Sequence, residues 1–166
     1  MRRSRWLQAV SDTFEGVRHQ FDAIVDGAAA ESSVWAASLR SRDERQLVPI
    51  FSPLAPEQFA LGLETVYEAY LTHYGRPRLF LVEDADEAIL LGDYLYAHGL
   101  VRVAEAGGVK AVSVMAELIS RCAALRADGA PGDGDEWVGA ARALGGTPDD
   151  DTVAVALARH SARVAP

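Results

Sequence analysis

A turn at Gly75-Arg76-Pro77 cuts the chain between two apolar helical segments, and the fold must bring those segments back onto each other. On its N-terminal side, Phe59, Leu63, Val66, Tyr67, Tyr70 and Leu71 recur at helical spacing, predicting an inward face on a helix over 56–74. Pro56 suits its first turn, with Glu57 favourable beside the positive helix end. On the other side the acids Glu83, Asp84, Asp86 and Glu87 cluster where a helix begins. That helix is predicted to run to about Glu105 through Ala88, Leu91, Leu95, Gly99 and Val103. Between turn and helix, Leu79 to Val82 is a short apolar run. With no partner strand it reads as a loop or helix lead-in.

The rest of the chain repeats this punctuation. Leu7, Val10, Phe14, Val17, Phe21 and Ile24 form one stripe on an amphipathic helix from Arg5 to about Ala28. A weaker helical stretch, Ala28 to Arg42, centres on Val34, Trp35 and Leu39. The close prolines Pro49, Pro53 and Pro56 forbid a long helix between them. Gly107-Gly108 predicts a break, followed by a helix over 109–127. The run from Ala127 to Asp135, rich in Gly and Asp, reads as a flexible acidic linker. A short helix over 136–144 and a last one started by Thr147 and Pro148 follow. The expected fold is all-α, an antiparallel helical bundle. Residues 1–129 form a helical domain, and 130–166 form the linker with C-terminal helices.

The chain of 166 residues is long enough for one well-cored domain. Its net charge of −8 suits no nucleic-acid backbone. No apolar run approaches the ~20 residues that span a bilayer, and no signal-peptide apolar core stands at the start, so a cytoplasmic location is expected. Cys122 is the only cysteine, which leaves no disulfide framework or Cys-based zinc site. His19, His73, His98 and His160 show no ligand spacing. Trp6, Trp35 and Trp137 read as core or interface residues.

The stretch from Gly75 to Asp93, with Gly75-Arg76-Pro77 ahead of Ala88-Ile89-Leu90-Leu91-Gly92-Asp93-Tyr94-Leu95, resembles the trans-polyprenyl diphosphate synthases over about residues 56–129. The resemblance implies a truncated isoprenoid synthase fold. Enzymes of that family hold Mg²⁺ between two aspartate-rich motifs on facing helices, and the ion neutralises a leaving diphosphate. Counting back from the turn, the first motif falls on Glu64, Thr65 and Glu68, where glutamates replace the outer aspartates. These glutamates are either a weak Mg²⁺ site or an exposed like-charge pair one turn apart. Asp149-Asp150-Asp151 is the only candidate for the second motif. Adjacent acids do not share a helical face, so it reads as a helix start.

The resemblance thus implies a short member without catalytic residues or metal ligands of its own, Mg²⁺ being bound only by a catalytic partner. The expected role is a noncatalytic subunit of a heteromeric prenyl diphosphate synthase that supports its partner's activity and product chain length. The alternative is a homodimeric helical module that binds an isoprenoid or another apolar ligand. Phe59, Leu63, Tyr67, Tyr70, Leu95 and Gly99 are the candidates for an apolar wall or interface. Gly92 lets two helices approach closely, and Asp93 bonds to a neighbouring helix.

Overall fold

The structure, a computed structural model, describes residues 2–164, with side chains described from residue 15 onward. The chain is all-α. Among the described residues the six α-helices are α1 (Arg2–Glu31), α2 (Ser33–Ala37), α3 (Ala60–Tyr74), α4 (Ala85–Ala127), α5 (Asp133–Ala143) and α6 (Asp150–Val164). Of the stripe expected on α1, Phe21 and Ile24 are buried and Val17 is partly buried. Trp6, Leu7, Val10 and Phe14 lie outside the described side chains. Of the weaker stretch Ala28 to Arg42, residues 28–31 complete α1 and only the five residues of α2 form a further helix, capped by Ser32, whose Oγ accepts from Val34 N at 3.2 Å. Single 3-10 turns, Ser52–Leu54 and Glu57–Phe59, occupy the proline-rich segment, so α3 begins after Phe59 rather than at Pro56.

Helices α3 and α4 run antiparallel at the centre. Moving up α3 means moving down α4: Phe59 meets Gly107, Gly62 meets Val103, Val66 meets Gly99 and His73 meets Gly92. Backbones almost touch where Gly62 and Gly99 face each other. A Cβ on Gly99 would lie 2.5 Å from Val66 Cγ2 and 3.3 Å from Gly62 O. The expected break at Gly107-Gly108 is a single-residue kink. Gly108 sits at φ 65°, ψ −162°, and α4 resumes beyond it.

Leu79 to Val82 is neither helix nor free loop. Leu81 N donates to Ser38 O at 2.7 Å and Arg40 N to Leu79 O at 2.9 Å, forming a one-residue antiparallel bridge between Leu39 and Phe80. The sequence reading missed this partner because a bridge of one pair leaves no alternating pattern.

The C-terminal region departs most from expectation. The linker ends at Gly132, held at φ 116°, and α5 begins at Asp133, which is buried. Helix α6 is capped by Asp149 rather than Thr147, since Thr152 N donates to Asp149 Oδ1 at 2.7 Å. No packing boundary falls at residue 129. Trp137, Val138, Ala141 and Ala156 share one core cluster with Phe51, Leu63, Val66 and Met115. A second cluster joins Phe21, Ile24 and Ala28 of α1 to Leu79, Phe80, Leu91 and Leu95.

Candidate functional site

Glu64 and Glu68 stand one turn apart on α3, so both carboxylates leave the same side of the helix. They do not face solvent. Both are fully buried, and between them lies the fully buried guanidinium of Arg78, three residues past the Gly75 turn. Arg78 donates from Nη1 to Glu64 Oε2 at 2.5 Å and from Nε to Glu68 Oε2 at 2.9 Å. Its remaining donors reach Val48 O at 3.0 Å and Glu64 O at 3.2 Å. The rings of Phe21 and Tyr67 lie 4.9 and 5.1 Å from its central carbon. Burial opposes the charge on Arg78, but the two glutamates outweigh it and hold the guanidinium more firmly protonated than a free arginine.

The other carboxylate oxygens are also occupied. Glu64 Oε1 accepts from Ile50 N at 3.2 Å and Ser52 N at 3.3 Å. Glu68 Oε1 accepts from Arg78 N and Leu79 N, both at 2.8 Å. Thr65 Oγ1 donates to Leu61 O at 2.6 Å and accepts from Arg102 Nη1 at 2.5 Å. The exposed-pair reading is therefore wrong, and so is a Mg²⁺ site here. Every carboxylate oxygen already receives a donor, and Mg²⁺ demands free oxygen ligands in near-octahedral array. The cluster instead clamps the 48–52 and 77–79 segments onto α3. Among the described residues no group of three or more His, Cys, Asp or Glu side chains converges as a metal set.

The candidates for an apolar wall all lie inside the chain. Phe59, Leu63, Tyr67 and Tyr70 are buried in the cluster that includes residues of α4, α5 and the Phe51 segment, and Leu95 is buried in the cluster with α1, Leu79 and Phe80. Tyr67 packs edge-on against Phe51 at 5.2 Å and Trp137 at 5.0 Å. Gly99 lies at the α3–α4 crossing rather than on a free face. Gly92 makes room for the His73 ring, and Asp93 reaches His73 Nε2 at 3.4 Å across the helix pair. Cys122 is buried, which pushes its thiol up to about 12 and leaves it unreactive.

A second polar cluster joins α3 to the C-terminal helices. Asp133 accepts from the Tyr70 hydroxyl and from Arg126, and Arg126 Nε also donates to Tyr70 Oη at 2.8 Å. His160 Nε2 lies 3.2 Å from Asp133 Oδ2, and its Nδ1 lies 3.1 Å from Tyr67 Oη. Arg126, Asp133 and His160 line an open cleft of about 580 Å³ between the end of α4, the start of α5 and α6. Burial holds the His160 imidazole below its ordinary 6.5. Burial acts to raise the Asp133 carboxyl, but the Tyr70 hydrogen bond and its cationic neighbours pull it below the usual carboxylate value.

Both shifts act in one direction. As pH falls below neutrality the unfolded chain protonates His160 before the folded chain does, as it does the partly buried His73, and folded stability drops. Asp133 extends the loss below about pH 4. The urea midpoint should fall from about pH 7 to about pH 5, and His160→Gln should flatten that decline whatever it does to stability at pH 7. An identical slope in the variant would remove His160 from this account.

Sequence reasoning missed Arg78, Asp133 and His160. Two glutamates one turn apart within the apolar run Phe59–Leu71 were themselves the signal for a buried cation, because neither could be buried unpaired. His160 shares a helical face with Val153, Ala156 and Leu157, which marks it as inward-facing. Nothing in the Gly/Asp-rich run separated Asp133 from its solvated neighbours.

No family model, curated protein or solved structure matches this chain. Among the described residues no helix is long and apolar enough to cross a membrane.

Proposed function

We propose that the chain is a noncatalytic helical subunit that supports the activity and sets the product length of a prenyl diphosphate synthase partner. The observation that carries this reading is the commitment of Glu64 and Glu68 to Arg78 at the position where the resembling enzymes hold metal. Helices α3 and α4, joined through the Gly75-Arg76-Pro77 turn, lack the means to bind a leaving diphosphate through Mg²⁺ at that position. The outer face of α4 supports association. Ile89, Leu90 and Val101 are 52%, 63% and 55% exposed, and Leu90, Ala97, Val101 and Ala104 follow one another at helical spacing with exposed side chains.

Co-expression with a full-length synthase carrying both aspartate motifs tests the reading. A stable complex with altered product length is the expected result. Leu90→Glu with Val101→Glu should abolish that complex while leaving the melting temperature of the isolated chain within about 2 °C. Unchanged activity and product length across candidate partners would overturn the proposal.

A further inference from the structure

Helix α6 and the two loops beside it enclose an open groove of about 540 Å³, lined by Arg40, Gln46, Val48, Ile50, Arg76, Pro77, Arg159, Ala162 and Arg163. Four arginines, Arg40, Arg76, Arg159 and Arg163, line the groove, and no carboxylate does, in a chain whose net charge is −8. Three arginines elsewhere are ion-paired, Arg78 with Glu64 and Glu68, Arg121 with Glu117 and Glu136, and Arg126 with Asp133, whereas Arg45 and Arg102 bond uncharged acceptors. None of the groove arginines has an acidic partner within ion-pair distance among the described residues.

Neutral acceptors hold them in place. Arg40 Nε donates to Pro77 O at 3.3 Å, Arg159 Nη1 to Pro49 O at 3.4 Å and Arg163 Nη1 to Arg76 O at 3.1 Å. Arg76 Nη2 donates to Ala162 O, and Arg163 Nη2 to Gln46 Oε1. Arg76 and Arg163 are further tied by Arg76 N donating to Arg163 O at 3.1 Å. Each guanidinium has five N–H donors, so most remain free after these anchoring bonds. The arrangement gathers like charge, fixes its geometry and leaves its donors unspent. Burial, then the positive charge of Arg78 and more weakly that of Arg76, lowers the proton affinity of Arg163, against the opposing pull of Glu68 and Tyr67.

We propose that this groove binds a phosphate- or diphosphate-bearing small molecule. A guanidinium fork matches phosphate oxygens two at a time. A ligand with two or more negative charges balances several arginines, whereas a monocarboxylate balances one. The volume exceeds that of a diphosphate, and Val48 and Ile50 supply an apolar edge for the organic portion of such an ester. The site stands on its own charge and geometry and does not rest on the prenyl-synthase reading.

Calorimetric titration of the full chain with sodium pyrophosphate, in EDTA at about 150 mM salt, tests it. Saturable one-to-one binding with a dissociation constant below about 1 mM is expected, with inorganic phosphate at least about fivefold weaker. Arg40→Gln and Arg159→Gln should each weaken pyrophosphate at least about fivefold, while Arg121→Gln leaves it unchanged. Arg159→Gln separates binding from folding. Without ligand its melting temperature should equal or exceed the parent's, because a repulsive charge is gone, yet pyrophosphate should stabilise it less. Absence of saturable binding, equal loss in Arg121→Gln, or undiminished binding in both groove variants would overturn the proposal. So would displacement of pyrophosphate by a short oligonucleotide at lower phosphate concentration, which would mark a polyanion surface instead.

Discussion

Arg78→Met is expected to cost about 3–5 kcal/mol, a large share of the ~5–15 kcal/mol that keeps a domain folded. The substitution removes the only cation between two fully buried carboxylates and keeps similar apolar bulk. Coulomb attraction in a low dielectric had offset the desolvation of both acids, and without it each faces the other one turn away. Arg78→Lys should recover only part of the loss. A lysine restores the charge, but not a fork that reaches Glu64, Glu68, Val48 O and Glu64 O together.

Replacing a buried ion triad by apolar residues is often neutral, but here it should not be. Glu64 and Glu68 also accept from the backbone N–H groups of Ile50, Ser52, Arg78 and Leu79. An all-apolar triple variant would orphan those four donors, each at about 1–3 kcal/mol. Arg78→Met combined with Glu64→Gln and Glu68→Gln keeps acceptor oxygens in place. It should therefore be the more stable of the two triple variants in urea unfolding. An Arg78→Met chain within about 1 kcal/mol of the parent would show that the clamp contributes little.

What the sequence made legible follows from what repeats. The helical spacing of Phe21 and Ile24, and of Leu63, Val66 and Tyr70, predicts the buried faces observed, because each position reports the same 3.6-residue period. The turn at Gly75 and the kink at Gly108 were readable because Gly and Pro mark them directly. The clamp was only half readable. The one-turn spacing of Glu64 and Glu68 is visible in the sequence, but their role depends on Arg78, ten positions beyond Glu68 and past a turn. Asp133 and His160 meet across α5 and α6; pairing at that distance in sequence leaves no local pattern, and the Gly/Asp composition around Asp133 argued for solvent. The arginine groove has the same origin. Arg40, Arg76, Arg159 and Arg163 come from three distant segments, and the total charge of −8 conceals their convergence.

Gly99→Ala is expected to destabilise the chain by about 1–3 kcal/mol, against the direction that helix propensity alone predicts. Within an isolated helix, alanine gains up to about 1 kcal/mol over glycine. At Gly99 the added Cβ would lie 2.5 Å from Val66 Cγ2 and 3.0 Å from Val66 N, and the second of these is backbone. Val66 is β-branched and stiff, and it is fully buried, so its side chain cannot step aside cheaply. Relief requires α3 and α4 to separate, which would open contacts along the whole pair from Phe59 to His73. Gly139→Ala is the control: it lies within α5 with nothing within 4 Å of an added Cβ, and should stabilise by about 0.5–1 kcal/mol. Opposite signs in urea unfolding would identify the Gly62–Gly99 approach as the feature that sets the spacing of the central helices. Equal gains at both positions would mean that α3 and α4 have slack at their crossing, and that the close packing of the core around Val66 is set elsewhere.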